Sequence, residues 1–169
     1  GNIYYMACAL LDTILGKFAE EGKPAYEILE TYKGQDLEYK EYEPLYQCAY
    51  DCASKQNKKA FFVTCDTYVT LTDGTGVVHI APAFGEDDAK VGRKYDLPFV
   101  QLVDDKGQFK PEVTDLAGVF CKKGDEAILK MLGAKGLLFK VLKFEHSYPF
   151  CWRCDTPLIY YARESWFIK

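Results

Sequence analysis

Two glycines and a proline divide residues 72–88 into a turn, a strand and a helix start. Gly74 and Gly76 permit a tight turn, because glycine adopts backbone conformations that other residues avoid. The residues that follow have the composition of a short strand, which Pro82 then ends. Acids at 86–88 open a helix that basic residues close, the charge order that the helix dipole favours. This segment therefore predicts a turn, a strand and a helix start close together.

The rest of the chain predicts short strands and helices that alternate irregularly. Strands are predicted from β-branched and aromatic residues at 3–6, 26–32, 61–71, 77–81, 99–103 and 137–144. Helices are predicted from apolar periodicity and acidic first turns at 7–21, 86–95 and 125–132. The polar stretch 35–59 is predicted to be a connecting loop. The fold class is therefore predicted as α+β, with a curved, barrel-like mixed β-sheet and short surrounding helices.

Composition narrows the class of protein. A length of 169 residues suits one domain with a core of its own. Seven cysteines at irregular spacing indicate reduced thiols in a cytosolic protein rather than a secreted disulfide scaffold. No apolar run reaches the roughly 18 residues of a membrane span, and the first residues lack a signal-peptide pattern.

The charge distribution leaves contact with nucleic acid open. A net charge of −4 argues against a protein that coats nucleic acid along its whole surface. Basic residues nevertheless gather at 58–59, 90–94 and 122–123. Each of these groups, taken alone, is typical of a solvated helix or loop face.

His79 and the acids of the helix start are the candidate chemical groups of the first segment. His79 shares a strand face with Val77 and Ala81, where a histidine is also typical of a half-buried residue with a satisfied hydrogen bond. The helix start near Glu86 directs free backbone N–H groups toward the preceding loop. The chain supplies its own acids there, in Glu86, Asp87 and Asp88, and these either cap the helix or hold a cation such as an amino acid's α-ammonium group.

Several familiar catalytic motifs are absent from the sequence. The spacing Gly74-x-Gly76-x-x-His79 lacks the third glycine of a dinucleotide-binding loop. Neither a Gly-Lys-Ser/Thr phosphate loop nor a Gly-x-Ser-x-Gly nucleophile elbow occurs. Cys65 beside His79 would make a thiol nucleophile with its base, but a cysteine is more often a small buried hydrophobe.

A Cys-x-x-Cys pair at Cys151 and Cys154 has the spacing of half a zinc site. A structural zinc ion usually has four ligands, and no second Cys-x-x-Cys is present. His146 is a candidate third ligand, whereas Cys48 and Cys52 have a looser spacing and lie far away in the sequence. A redox role needs a thioredoxin-like context, which the sequence lacks.

Two long runs carry a resemblance to a known family. Residues 73–88 read Asp-Gly-Thr-Gly-Val-Val-His-Ile-Ala-Pro-Ala-Phe-Gly-Glu-Asp-Asp, and residues 146–161 read His-Ser-Tyr-Pro-Phe-Cys-Trp-Arg-Cys-Asp-Thr-Pro-Leu-Ile-Tyr-Tyr. Both runs resemble signatures of the editing domain of isoleucyl-tRNA synthetases, and the segments between them follow the family's order. The chain departs from the family in lacking an upstream threonine-rich strand, which lines the pocket.

The resemblance implies roles for individual residues. Asp88 corresponds to the acid that binds the substrate's α-ammonium group, and His79 to the pocket histidine near the reactive end; these two are the implied catalytic residues. The implied substrate-binding residues are Gly74, Thr75, Gly76, Ala83, Phe84, Gly85 and Tyr148. Cys151 and Cys154 correspond to half of a zinc site that some members carry.

The resemblance also implies a domain division and a function. Residues 1–145 would form the editing domain without its threonine-rich strand, and residues 146–169 would return toward the catalytic domain. The implied reaction is hydrolysis of valine from isoleucine tRNA, or of valyl adenylate, within an isoleucine–tRNA ligase. The alternative is a non-catalytic module that binds tRNA or protein, around a zinc knuckle, with the isolated fragment inactive.

The implied cofactors and partners follow from the same resemblance. Editing would need no cofactor, and ATP and Mg²⁺ would serve only the full-length enzyme, which alone would aminoacylate. Zinc would bind in the full-length enzyme of some members. The partners would be the acceptor end of isoleucine tRNA and the rest of the synthetase, with no membrane.

Overall fold

The computed structural model describes residues 2–72, 74–142, 147–166 and 168. Within these ranges the α-helices are α1 (Leu11–Leu15), α2 (Gln47–Ser54), α3 (Glu86–Lys94) and α4 (Asp125–Ala134). The 3-10 helices are Cys8–Leu10, Gly16–Phe18, Gly34–Leu37, Thr114–Leu116 and Cys121–Lys123. The predicted boundary between residues 145 and 146 lies outside the described residues.

The predicted barrel-like mixed sheet is wrong. The described residues form no strand at any of the six predicted positions, and residues 143–144 of the last one lie outside the described ranges. Antiparallel pairing is limited there to isolated bridges, namely Glu20 with Lys23, Glu41 with Phe62, Val103 with Phe109, Gln108 with Phe120, and Phe150 with Pro157.

The physical reason is that a strand needs a neighbouring backbone as well as a suitable sequence. A β-rich composition reports a preference for extended backbone, but a strand forms only where a second segment supplies the hydrogen bonds. The predicted first and last strands illustrate this, because Ile3 is 72% exposed and Leu142 is 71% exposed. The Tyr4 and Phe139 rings of these two segments lie 5.0 Å apart, but among the described residues no backbone hydrogen bond joins the segments.

Two of the predicted helices are confirmed. The structure places α3 at Glu86–Lys94 and α4 at Asp125–Ala134, close to the predicted ranges. Acids fill the first turn of α3, and Arg93 and Lys94 lie in its last turn, as the helix dipole favours. The predicted helix at 7–21 is shorter, because only Leu11–Leu15 is α-helical between two 3-10 turns.

The helix α2 was predicted to be loop, and that prediction is wrong. Residues 35–59 are mostly polar, yet they contain a short helix that begins at Gln47, with Tyr46 as its N-cap residue. Inside it the Gln47 amide donates to Asp51 at 2.8 Å, one helical turn away, and Ala53 is only 2% exposed. A single buried alanine gives too weak a periodicity to reveal a helix of this length.

The hydrophobic core is small for a chain of this size. The buried apolar side chains in the described residues are Leu10, Leu15, Ala53, Phe62, Ala83, Val91, Val103 and Leu116. The accessible surface is 13626 Å², whereas a compact protein of 19.3 kDa would expose roughly 8,500 Å². Much apolar surface therefore faces outward. The described helices are all too short or too polar to cross a membrane.

We expect Val91→Ala to destabilise the protein by about 2 kcal/mol. Val91 is 1% exposed at the centre of α3, so its truncation removes buried methyl groups and leaves a cavity. Urea denaturation followed by circular dichroism measures the change. Lys90→Ala on the same helix is the control, because its side chain is 56% exposed and its removal should cost less than about 0.5 kcal/mol. Equal losses for the two variants would contradict the assignment of Val91 to the core.

Candidate functional site

The first part of the candidate site is a glycine turn, residues 74–76. Gly74 and Gly76 have φ angles of +67° and +74°, in the left-handed region. The Thr75 hydroxyl donates to the Val77 carbonyl at 3.2 Å and accepts from the Val77 amide at 3.3 Å. These bonds hold the turn in one conformation.

The close approach that Gly76 permits is made by the chain itself. The Ala7 amide donates to the Thr75 carbonyl at 2.8 Å. A Cβ atom built on Gly76 would lie 2.5 Å from the Ala7 Cβ. The segment around Ala7 therefore packs directly on the glycine turn, at a place where the sequence predicted a ligand. Asp73, which precedes the turn, lies outside the described residues.

The segment after the turn is open to solvent. Val77 is 60% exposed and Val78 is 50% exposed, and His79 is exposed as well. The prediction that residues 77–81 form a strand is wrong here, so His79 does not share a strand face with its neighbours. Its imidazole has no hydrogen-bond partner among the described residues, which leaves both ring nitrogens available to a bound molecule.

The loop at 81–85 turns the chain into α3. The Phe84 amide donates to the Ala81 carbonyl at 2.8 Å, and Ala83 is 3% exposed beneath this turn. Gly85 is the N-cap residue of α3 and provides no side-chain hydrogen bond.

Asp88 is the charged side chain that connects the loop at 81–85 with α3 and with Tyr68. It lies at the third position of α3, and its Oδ2 atom accepts from the Ala81 amide at 3.2 Å. Its Oδ1 atom accepts from the Tyr68 hydroxyl at 3.4 Å. A Cβ atom on Gly85 would lie 2.8 Å from Oδ2, so the glycine leaves room for the carboxylate. Asp88 thus ties the loop at 81–85 to the first turn of α3.

Tyr68 is a site residue that the sequence did not reveal. Burial first, and then the nearby Asp88 carboxylate, raise the pKa of Tyr68, so its hydroxyl remains a donor at neutral pH. Asp88 keeps unused lone pairs, because a carboxylate accepts about four hydrogen bonds. Twenty residues separate Tyr68 from Asp88. No short sequence spacing connects two residues so far apart.

Phe84 links the loop to the C-terminal part of the chain. Its ring lies 6.4 Å from the Tyr161 ring at 63°, an edge-on contact. Nearby in sequence, the Ala162 carbonyl accepts from the Gln101 side chain at 3.2 Å. The predicted substrate-binding role of Ala83 and Phe84 stays a prediction, and the structure shows Ala83 buried and Phe84 half-buried.

The basic groups near α3 are largely paired with acids. Lys90 lies 3.1 Å from Glu86 and 3.0 Å from Asp87. The other pairs are Lys58 with Asp96 at 2.6 Å, Lys59 with Glu41 at 2.8 Å and Lys94 with Asp66 at 3.3 Å. Such exposed pairs add little stability. They do reduce the positive charge that this face offers to a polyanion.

Tyr95 anchors the end of α3. Its hydroxyl accepts from the Cys65 amide at 3.0 Å and donates to Glu38. Burial of the ring, followed by the Glu38 hydrogen bond, raises the pKa of Tyr95. The Cys65 thiol contacts the Gly34 carbonyl at 3.4 Å, and burial raises its pKa. A raised pKa keeps the thiol protonated, which argues against Cys65 as a nucleophile.

Residues 147–158 form a second structural unit, the cysteine hairpin. The Cys151 amide donates a hydrogen bond to the Thr156 carbonyl at 2.9 Å, and the Asp155 amide donates one to the Cys151 carbonyl at 2.9 Å. The Cys154 Sγ lies 3.2 Å from the Thr156 hydroxyl. The hydrogen bonds from Thr156, together with a contact to Cys151, lower the pKa of Cys154. Such surroundings favour a thiolate, the form that binds metal.

The cysteine hairpin provides two of the four ligands that a structural zinc ion needs. Within the described ranges no group of three or more His, Cys, Asp or Glu side chains converges there or elsewhere. His146, the predicted third ligand, lies outside the described residues. Cys48 and Cys52 are half-buried on α2, and burial raises the pKa of Cys48. The donor set described here therefore fits half of a zinc site.

Tyr148 is placed in the cysteine hairpin. Its hydroxyl donates to the Leu158 carbonyl, and its ring lies 5.8 Å from the Phe150 ring. The Lys122 ammonium lies 4.6 Å from the centre of the Tyr148 ring. These contacts hold the hairpin together. None of them involves the glycine turn or Asp88, so the predicted substrate-binding role of Tyr148 stays a prediction.

Comparison with curated proteins gives long matches of one kind. The isoleucine–tRNA ligase of Clostridium acetobutylicum is 47% identical over 169 residues, which is all of this chain and 15% of that protein. The enzyme of Clostridium novyi is 51% identical over 144 residues, or 85% of the chain and 13% of that protein. The Thermus thermophilus enzyme is 44% identical over 161 residues, 95% of the chain and 14% of that protein. The chain belongs to the isoleucine–tRNA ligase family.

The match to isoleucine–tRNA ligases confirms the resemblance found in the sequence. No protein-family model matches the chain. The chain spans about 15% of the length of the curated isoleucine–tRNA ligase from Clostridium acetobutylicum. It therefore corresponds to one segment of such a synthetase, and the acids, glycines and cysteines described above belong to that segment.

Proposed function

We propose that the chain is the part of an isoleucine–tRNA ligase that edits, by hydrolysing valine from isoleucine tRNA or from valyl adenylate. The family relation supports a synthetase segment. The observation that carries the editing role is the Asp88 carboxylate, which two hydrogen bonds hold in place at the start of α3. A fixed carboxylate with unused lone pairs suits recognition of an α-ammonium group.

Asp88 acts in this proposal as an anchor. The Ala81 amide and the Tyr68 hydroxyl fix the carboxylate before any ligand arrives, so binding does not have to order it. The α-ammonium group of an aminoacyl ester then occupies the remaining acceptor positions. The ester carbonyl lies next to that group, so the anchor also positions the bond that breaks.

The reaction is hydrolysis of an activated ester. In the aminoacyl-tRNA, a water oxygen attacks the acyl carbon and the bond between that carbon and the ribose oxygen breaks; one proton of the water moves to the ribose oxygen, and the other is released to solvent as valine leaves as a carboxylate. In valyl adenylate, the bond that breaks joins the acyl carbon to the phosphate oxygen, and AMP is the leaving group. In this proposal the exposed His79 imidazole, two residues before Ala81 in the sequence, guides the water. Holding water and ester together supplies much of the rate enhancement, because it removes the entropy cost of their encounter.

The proposal is tested by binding of two non-hydrolysable analogues, valyl-adenosine and isoleucyl-adenosine. We expect the valyl form to bind about tenfold more tightly, because a pocket that excludes one methylene discriminates by about 1–3 kcal/mol, a value for which this pair of amino acids is the standard example. Isothermal titration calorimetry measures both affinities. Equal binding of the two analogues, or tighter binding of the isoleucyl form, would exclude a size-selective editing pocket.

The second candidate function is a non-catalytic module that binds tRNA or protein. The cysteine hairpin favours it, because two thiols with the Cys-x-x-Cys spacing provide half of a zinc knuckle. ATP, Mg²⁺ and aminoacylation belong, in either proposal, to the rest of the synthetase. Hydrolysis of valyl-tRNA by the protein supports editing, whereas tRNA binding without hydrolysis supports the module.

A further inference from the structure

The tip of the cysteine hairpin carries a large aromatic side chain in water. Trp152 is 84% exposed, and the Arg153 guanidinium lies 4.7 Å from the centre of its ring. Such a pair adds little to stability when both groups are exposed. Both side chains are exposed, and within the described residues no hydrogen bond or ion pair joins either of them to the site around Asp88.

The backbone beneath Trp152 and Arg153 is ordered. Asp155 has a φ angle of +52°, which turns the chain, and its amide donates to the Cys151 carbonyl at 2.9 Å. The Leu158 amide donates to the Pro149 carbonyl at 3.0 Å on the far side of the turn. The hairpin therefore presents the indole and the guanidinium from a fixed position.

The charge of this region differs from that of the face near α3. The lysines near α3 are paired with acids. The described ion pairs include neither Arg153 nor Lys122, and the Lys122 ammonium lies over the Tyr148 ring of the same hairpin. The exposed indole of Trp152 thus lies beside the Arg153 cation, and the Lys122 cation lies against Tyr148 of the same hairpin. Asp155 is the acid within residues 147–158, and the described ion pairs do not include it.

We propose that Trp152 and Arg153 form a stacking site for an unpaired nucleotide of single-stranded RNA. A base stacks on the exposed indole, and the guanidinium and the Lys122 ammonium attract the neighbouring phosphates. An acidic peptide would use the two cations but would leave the indole face uncovered. The identification of that RNA as the acceptor end of a tRNA rests on the proposed function, whereas the stacking itself does not.

The direct test uses the fluorescence of Trp152. The protein has two tryptophans, and Trp166 is fully exposed, so Trp166→Phe leaves Trp152 as the only reporter without disturbing a buried side chain. The probe is a single-stranded RNA of about twelve nucleotides that ends in CCA. We expect saturating RNA to quench the Trp152 emission. Unchanged emission at saturating RNA would overturn the proposal.

The affinity test compares Trp152 with Tyr32, a second exposed aromatic residue whose ring also lies next to a cation. We expect Trp152→Ala to raise the Kd for the RNA about tenfold, measured by fluorescence anisotropy of labelled RNA. Tyr32→Ala is the matched control, because Tyr32 is 44% exposed and the Lys40 ammonium lies 5.3 Å from the centre of its ring. The control should change the Kd less than twofold, and equal losses for the two variants would overturn the proposal.

Two further measurements distinguish a loss of RNA stacking from a loss of folding and from a loss of editing. Arg153→Gln should raise the Kd about threefold and weaken its salt dependence, because one phosphate contact is lost. Trp152→Ala should leave the affinity for valyl-adenosine unchanged, with an unaltered circular dichroism spectrum. Failure of valyl-adenosine to bind would count against editing only, whereas undiminished RNA binding by Trp152→Ala would overturn the stacking site only.

Discussion

Asp88→Asn is expected to weaken binding of the non-hydrolysable valyl-adenosine analogue by between about 10-fold and 100-fold. A hydrogen bond to a charged group contributes about 1.5–3 kcal/mol, and the substitution removes the negative charge that would face the α-ammonium group. Isothermal titration calorimetry with the parent protein and the variant measures the change in Kd.

The variant is chosen because it preserves the local structure. The amide oxygen of asparagine still accepts from the Ala81 amide, as Asp88 Oδ2 does at 3.2 Å. The amide nitrogen faces the Tyr68 hydroxyl, which can accept a hydrogen bond as readily as it donates one. The loop and the start of α3 should therefore keep their positions, and only the charge changes.

Two controls separate an anchoring role from a structural one. Asp87→Asn changes an acid of the same helical turn that lies 3.0 Å from Lys90, and it should leave the Kd unchanged. An analogue without the α-amino group should bind the parent and Asp88→Asn equally well. If Asp88→Asn weakens binding of both analogues to the same extent, the carboxylate shapes the site and does not hold the ammonium group.

Gly76→Ala is expected to destabilise the protein by about 2–4 kcal/mol. The residue has a φ angle of +74°, which strains any residue with a side chain. The new Cβ atom would also lie 2.5 Å from the Ala7 Cβ, so the N-terminal segment must move. Thermal unfolding followed by circular dichroism measures the change.

A variant at Gly74 separates the cost of backbone strain from the cost of steric crowding at Gly76. Gly74 has a similar φ angle of +67°, but a Cβ atom built there meets nothing within 4 Å. Gly74→Ala should therefore cost only about 1 kcal/mol, from backbone strain alone. Adding Ala7→Gly to Gly76→Ala should recover much of the lost stability. A double variant no more stable than Gly76→Ala would show that Ala7 does not pack on the glycine turn.

The accessible surface of the chain is large, and many large apolar side chains contribute to it. The accessible surface of 13626 Å² is far above the roughly 8,500 Å² of a compact protein of this mass. The family's members are several times longer than this chain. The exposed apolar side chains include Val77, at 60%, and Leu142, at 71%.

Local features were predicted well from the sequence. The helix α3 was foreseen because its acids and bases lie at the ends that the helix dipole favours, all within nine residues. The glycine turn was foreseen because positive φ angles at Gly74 and Gly76 are a local property of glycine. The family was recognised because runs of about sixteen residues carry far more information than a single spacing.

Contacts between distant residues were not predicted. The Tyr68 hydroxyl that holds Asp88 comes from a segment expected to be a strand, and Ala7 meets Gly76 across almost seventy residues. Alternating apolar residues report which face of a segment prefers burial, but they do not name the segment that covers it. The predicted barrel failed for this reason, since its strands required partners that the described residues do not provide.

The sequence by itself determined the family, two of the helices, the glycine turn and the Cys-x-x-Cys spacing, because each depends on residues close together in the chain. Only the tertiary structure decided that Asp88 is held by Tyr68 and Ala81, that the lysines near α3 are paired with acids, and that Trp152 projects into water. These outcomes depend on which distant backbones and side chains approach each other, and on how much surface the chain leaves exposed.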